Sequence, residues 1–188
     1  MGAGNHSASL TKQWFPLCRY YGIDRTRDYD NNDNDFNLME AFYELDLTRL
    51  EFDLISDDFF DVIMMSHIIE HLQNGDAVIE CLVTKLKRGG VIYIEYPSAR
   101  STKFPSMKGG LNFYDDPTHC RIYTLDEIES LLLEKGFKIL SAGTRRDWVR
   151  IVLLPLLMAS SKIKLGYVTG SVFWDMLGFA EYVFAEKQ

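Results

Sequence analysis

The chain opens on Gly2-Ala3-Gly4-Asn5, and an acidic residue, Asp24, follows 20 positions past Gly4. Neither glycine has a Cβ, so backbone can approach a ligand closely there. An acid at that spacing, ending the next strand, is placed to accept hydrogen bonds from ribose hydroxyls. The dinucleotide fingerprint wants a third glycine three residues after the second, for helix packing under a pyrophosphate. Ser7 stands in that place. A nucleoside ligand without a pyrophosphate does not need that glycine. Nicotinamide chemistry is therefore disfavoured, and an adenosyl ligand stays open. A flexible terminal tail reads the same way when the Gly-x-Gly is taken alone, so the downstream residues carry the weight.

Asp46-Leu47, Ser66-His67 and the segment 111–119 supply further polar chemistry. Asp46 ahead of Leu47-Thr48 suits ligand contact or a turn cap. His67-x-x-Glu70-His71 has metal-ligand residue types at short spacing, but no third ligand is evident and no metal is expected. Glu70 and His71 are read as orienting the loop after their strand. In 111–119, Phe113 and Tyr114 with Asp115, Asp116 and His119 suit a lid. His119 is the candidate general base, because imidazole has the unperturbed pKa nearest neutrality. Asp116 stands beside it as its catalytic partner. The other reading of this pair, a turn closed by hydrogen bonds, stays open. Arg145, Arg146 and Trp148 read as flanks of the following helix ahead of an anion site.

These residues need elements to position them. Candidate strands are 19–23 ending on Asp24, 42–45 ending on Asp46, 59–65, and 91–96 stopped by Pro97. The run 59–65 is almost continuously apolar, as a strand buried on both faces would be. A helix is predicted over 76–87, with Val78, Ile79, Leu82, Val83 and Leu86 at helical spacing and Gly89-Gly90 as its stop. Thr124-Leu125-Asp126-Glu127 reads as a capping box for another helix, ended by Gly136. A strand begins at 137–140, and 181–185 predicts an antiparallel strand at the sheet edge. Strands alternating with helices imply a mostly parallel sheet covered by helices, with ligands at the strands' carboxyl ends. The acidic-Asn stretch 28–35 reads as a solvated loop.

The whole, at 188 residues, fits one domain, 1–188. Hydrophobic residues are 47% and charged residues 25% of it, which excludes a disordered chain. The net charge of −7 comes without a cluster of Lys and Arg, so a nucleic-acid partner is not expected. Cys18, Cys81 and Cys120 show no CxxC spacing, and read as free thiols. No signal peptide is seen at the N-terminus. The apolar block 151–159 is about half a membrane span and contains Pro155. A cytoplasmic protein without membrane insertion is the expectation, with 151–158 in the core or at a homodimer surface.

In this order and spacing, the motifs resemble the class I methyltransferase family. Gly2-Ala3-Gly4 resembles its glycine loop, and Tyr21-Gly22-Ile23-Asp24 its second strand with the ribose-binding acid. Leu45-Asp46-Leu47 resembles the motif that holds the adenine edge. Phe60 through Leu72 resembles the fourth strand and its Glu-His-Leu continuation, and Leu86-Lys87-Arg88-Gly89-Gly90 the turn before the fifth, with Arg88 where the family has proline. The resemblance implies a Rossmann-like α/β fold, S-adenosylmethionine as cofactor and a small-molecule methyl acceptor. It further implies cofactor contacts at Gly2, Ala3, Gly4, Asn5, Asp24, Arg25, Asp46, Leu47, Ser66 and His67. The segments 98–123 and 142–176 become the acceptor side. The family's first strand, with its acid just before the first glycine, has no counterpart ahead of Gly2. The sheet is therefore expected to lack that central strand, leaving unpaired backbone between the strands ending at Asp24 and Met65 unless another segment fills the slot. A methyltransferase-like domain that binds without catalysis is the alternative, and a nicotinamide-dependent oxidoreductase ranks behind both.

Overall fold

The computed structural model describes residues 1–27 and 29–188; Asp28, from the acidic-Asn stretch, lies outside the described residues. In chain order the elements are α1 (Ser7–Trp14), β1 (Tyr20–Asp24), α2 (Asp33–Asn37), β2 (Met39–Glu44), β3 (Phe60–Ser66) and α3 (Gly75–Lys85). They continue with β4 (Leu86–Pro97), α4 (Leu125–Glu134), β5 (Phe137–Thr144), α5 (Trp148–Val152), α6 (Leu154–Leu165), α7 (Trp174–Leu177) and β6 (Ala180–Lys187). Short 3-10 turns cover Leu47–Arg49 and Ile69–His71.

The strands form two sheets, β1-β2 in parallel and β3-β4-β6-β5 with β3 parallel to β4. β6 runs antiparallel to both β4 and β5. It lies one place in from the edge, and β5 forms the edge itself, which corrects the expected edge position. Burial explains this. Val183 and Ala185 of β6 are fully buried, whereas alternate residues of β5 such as Lys138 and Leu140 face solvent.

One face of the larger sheet makes the core. Ile92, Ile94 and Tyr96 of β4 pack with Val78, Ile79 and Leu82 of α3 and with Ile128 and Leu132 of α4. Helix α3 ends at Lys85, earlier than the periodicity suggests, because Leu86 already pairs with Phe60 of β3. Gly89, at φ +77°, then bends within β4 and does not stop a helix. Thr124 caps α4 by accepting from the Glu127 N–H at 3.3 Å. The reciprocal half of the box is replaced by an ion pair between Glu127 and Arg121.

Among the described residues, no strand lies between β1 and β3. The slot is bridged at its carboxyl end by residues 1–3. The Met1 amine donates to the Met64 carbonyl at 2.8 Å, and the Ala3 N–H to the Ile23 carbonyl at 3.1 Å. Toward the amino end, Tyr21 meets Phe59 and Phe60 edge-on. β3 is consequently not buried on both faces as its apolar run suggests: Val62 is 53% exposed and Met64 49%.

The stretch read as a solvated loop, 28–35, contains the first three residues of α2 and a fully buried carboxylate, Asp35. Asp35 accepts from Ser9, from the Asn32 N–H at 2.9 Å, and from His6 at 2.6 Å, tying α2 to the start of α1. Burial opposes its charge, but those hydrogen bonds outweigh burial and lower its pKa from 3.8 to about 2. A carboxyl with a depressed folded pKa contributes stability that is present above its unfolded pKa and lost as pH falls through the folded one. Urea unfolding should therefore show wild type losing its advantage over Asp35→Asn as pH drops from above 3.8 to about 2. A constant difference between the two across that window would contradict the assignment.

Candidate functional site

The carboxyl ends of β1, β2 and β3 open onto one cavity of about 1060 Å3. Gly2, Gly4 and Asn5 line it from the opening loop, Asp24 and Arg25 from the end of β1, and Asp46 and Leu47 from the turn after β2. Ser66 and His67 enter from the end of β3, and Asp116 and His119 from the loop before α4. The fold thus gathers both groups of residues read from the sequence. Ala3 is the exception, buried under the loop and anchored to Ile23.

The loop is held by protein as well as facing the cavity. Gly4 has Tyr29 against it, so that a Cβ would fall 2.4 Å from the ring, and Gly2 sits at φ +65° against Ile68. Asn5 and His6 also take left-handed backbone, at φ 51° and 55°, as the chain turns into α1. Ser7 hydrogen-bonds Tyr20 at 2.9 Å, a contact that a third glycine would not make.

Asp24 accepts from the Arg25 N–H at 2.7 Å. Asp46 caps the turn that follows it, accepting from the Thr48 N–H at 3.0 Å and hydroxyl at 2.6 Å. Hydrogen bonds from Thr48, assisted by Arg49 and Arg25, hold its carboxyl below the usual range. Two carboxylates thus sit at the ends of neighbouring parallel strands, with Leu45 and buried Leu47 beside the second. This polar-then-apolar wall fits the ribose and adenine of an adenosyl group.

His67 joins the cavity to the sheet. Its backbone is left-handed, φ 54°, and is held there by an N–H donated to the Glu95 carbonyl at 2.8 Å. Its ring lies between two carboxylates, with Nδ1 3.2 Å from Glu70 and Nε2 3.2 Å from Glu95. Burial opposes the imidazolium, but the bonds to Glu70 and Glu95 prevail and push the pKa up to about 9. Glu95 in turn meets Arg145 at 3.4 Å, and Arg145 and Arg150 both pair with buried Asp175. Arg145, Arg146 and Trp148 line a separate cavity with Tyr93 and Tyr182, and Arg146 donates to the carbonyls of Asp175 and Met176. Arg145 and Arg146 precede α5, as the sequence suggested, and Trp148 is its first residue.

The 111–119 segment is only partly a lid. Phe113 is buried and packs on His119 with ring centroids 4.7 Å apart, while Tyr114 is 66% exposed and does not line the cavity. Asp115 accepts from the N–H groups of Met107, Leu111 and Asn112 and from Ser106, fixing the turn through Gly109 and Gly110. Although burial opposes its charge, those bonds drive its pKa far below the carboxylate range. Asp116 accepts from the Thr118 N–H and hydroxyl. The His119 Nδ1 donates to the Phe113 carbonyl at 2.7 Å, and its Nε2 stands 3.9 Å from Asp116 and 3.9 Å from Glu70. From 142–176, Trp174 reaches the cavity, stacked on Phe179 at 4.4 Å. The block 151–158 is not core. Val152 and Leu156 are mostly exposed.

Sequence reasoning missed Glu95 and Trp174, which come from β4 and from the start of α7. Nothing local marks them; Glu95 is one polar residue in an apolar strand. No helix among the described residues is long and apolar enough to cross a membrane.

The methyltransferase family described as "Methyltransferase domain" matches residues 1–142. No curated protein sequence matches the chain. Among solved structures, an S-adenosylmethionine-dependent methyltransferase from Mesorhizobium loti superposes with a TM-score of 0.64 at 15% identity, covering 99% of this chain and 88% of that one. The plantazolicin methyltransferase BpumL, in complex with S-adenosylhomocysteine, gives 0.61 at 18%, covering 100% and 74%. The [4+2]-cyclase SpnF gives 0.61 at 18%, covering 99% and 73%. With three quarters of its length inside that family, and with the Rossmann-like fold described above, the chain belongs to the class I S-adenosylmethionine-dependent methyltransferases. That assignment sets the nicotinamide reading aside.

Asp115→Asn should cost on the order of 2 kcal/mol in chemical denaturation, because charge-assisted bonds to three backbone donors weaken together. Tyr114→Ala should change S-adenosylhomocysteine affinity less than about 2-fold in the same preparation, as expected of an exposed side chain outside the cavity. The reverse ranking would return Tyr114 to the lid.

Proposed function

We propose that the chain transfers the methyl group of S-adenosylmethionine to a small-molecule acceptor bearing a hydroxyl or amine. The observation that carries this reading is the single cavity that joins Asp24 and Asp46, at the ends of β1 and β2, to Asp116 and His119 across from them. Its volume of about 1060 Å3 leaves room for an acceptor beside an adenosyl group.

When bound, the cofactor supplies an electrophilic methyl on a sulfonium, so that the protein contributes mainly orientation and exclusion of water. Asp24 accepts from the ribose hydroxyls, with Arg25 at the rim. Asp46 and the backbone of Leu47 meet the adenine edge. The Gly2–Asn5 loop leaves space beside the aminocarboxypropyl group, and Ser66 and His67 border the methionine end. On the acceptor side, His119 takes the proton that an attacking hydroxyl or amine must lose. Its Nδ1–H is committed to Phe113, so the proton goes to Nε2, on the side of the ring that faces Asp116. An acidic chain without a basic cluster fits a small acceptor better than a nucleic acid.

The alternative, a methyltransferase-like domain that folds without taking cofactor, is favoured by one observation: among the described residues no strand lies between β1 and β3, beside the Gly2–Asn5 loop. Isothermal titration with S-adenosylhomocysteine separates the two. Wild type should bind one equivalent, and Asp24→Ala should bind more than about 10-fold more weakly, since a charge-assisted hydrogen bond is worth ~1.5–3 kcal/mol and ~1.4 kcal/mol is tenfold. Absence of heat with wild type, or equal affinity in a folded variant, overturns the catalytic reading.

A further inference from the structure

We infer that Glu70, His71 and His119 form a binding site for a divalent first-row transition metal at the acceptor side of the cavity. The sequence offers Glu70 and His71 side by side without an evident third ligand. Folding supplies it, because the loop before α4 returns His119 to the end of β3. Each of the three residues offers one ligand atom, and these atoms lie within 4.8 Å of one another. The two imidazole rings are 4.8 Å apart between centroids. Loop and turn are locked together by the N–H groups of Cys120 and Arg121, which both donate to the Glu70 carbonyl at 2.9 and 3.2 Å.

The protons show what this cluster lacks. The His119 Nδ1 donates to the Phe113 carbonyl, which leaves a lone pair on Nε2 of the neutral ring. That lone pair stands 3.9 Å from carboxylate oxygens of both Glu70 and Asp116, beyond hydrogen-bond reach. Thr118 has one hydroxyl proton, and it goes to Asp116 at 2.5 Å. Thr118 Oγ1 therefore accepts from the His71 Nδ1, 2.9 Å away, and His71 Nε2 also keeps its lone pair. Glu70 is 1% exposed; its Oε1 faces His67, but its Oε2 is buried with no hydrogen-bond partner among the described residues. Two imidazole lone pairs thus converge with the Glu70 carboxylate, which has His67 at Oε1 and, among the described residues, nothing at Oε2. A cation satisfies all three.

The surroundings match what orients ligands at known metal centres, where the far ring nitrogen of each histidine donates to a carbonyl or to a hydrogen-bonded oxygen. Two imidazoles and one carboxylate favour zinc, iron, cobalt or manganese over the harder magnesium and calcium, which prefer oxygen throughout. Three protein ligands leave coordination positions open, as catalytic sites do. Asp116 and the cavity itself lie on that side. An acceptor oxygen bound there would be oriented and made more acidic. With the His119 Nε2 on the metal, the proton it loses would pass to the Asp116 carboxylate or to water, and the metal would take over the role assigned above to His119 in the metal-free site. What the metal does thus rests on the methyltransferase reading; that it binds does not.

The test uses metal-stripped full-length protein titrated with Co2+, read by the visible absorption that appears on nitrogen and oxygen ligation, followed by displacement with Zn2+. Wild type should take up one equivalent. His71→Ala and His119→Ala should bind at least about 10-fold more weakly, and Thr118→Val about 10- to 100-fold more weakly through loss of the bond that orients His71. Thermal melts confirm folding, and Thr118→Val, an exposed position, decides the matter if either histidine variant fails to fold. A wild type without stoichiometric Co2+, or folded variants that bind Co2+ equally well, overturns the site. S-adenosylhomocysteine titration of the same wild-type sample separates the two claims. Retained cofactor binding without cobalt defeats the metal alone, and loss of cofactor binding defeats the reading it serves.

Discussion

The register of β3 against β4 governs the site. Ser66 pairs with Glu95, and this places the next residue, His67, where its N–H reaches the Glu95 carbonyl and its ring falls between Glu70 and Glu95. A shift of one residue would turn Glu95 to the opposite face of the sheet, into the core packed by α3 and α4. It would also take from the His67 ring the second of the two carboxylates between which it lies. From that pairing a ladder of alternating charge runs through Glu95 and Arg145 to Asp175 and Arg150. The ladder ties the cavity to the elements around α5 and α7.

The side of the cavity lined by Gly2, Gly4 and Asn5 is held differently. There the backbone takes left-handed turns at Gly2, Asn5 and His6, and buried Asp35 fastens α2 to the start of α1 through Ser9 and His6. A carboxylate that accepts three bonds in a buried site can fix a loop that has little apolar surface to bury. The two halves of the cavity meet across the slot between β1 and β3, where residues 1–3 carry the backbone bonds and Tyr21 packs on Phe59 and Phe60. Sheet continuity is therefore weakest beside the glycine loop, and the exposure of Val62 and Met64 follows from the same cause.

Much of this was legible in the residues. Short apolar runs ending on Asp24, Asp46 and Ser66 located three strand ends, because a strand buried in a parallel sheet stops at its first polar residues. Thr124 and Gly136 bounded α4 by chemistry confined to a few neighbours. The misreadings share one feature. Leu86 leaves α3 because β3 pairs with it, Asp35 is buried because Ser9 and His6 reach it, and β6 is inside the sheet because β5 pairs along its outer side. Each depends on a partner far away in sequence, which no local pattern encodes.

The amino-acid sequence sufficed for the fold family, for most of its strands and two of its helices, and for the residues at the strand ends that line the cavity. Those follow from hydrophobic period, glycine placement and a polar residue at each strand end, all of which act over a few positions. Which side chains share a charge depends on the folded chain. It set His67 between Glu70 and Glu95, separated Tyr114 from the cavity while burying Phe113, and brought His119 beside Glu70 and His71. Electrostatic and hydrogen-bond partners are chosen by distance in space, and that distance is set only once the strands have paired.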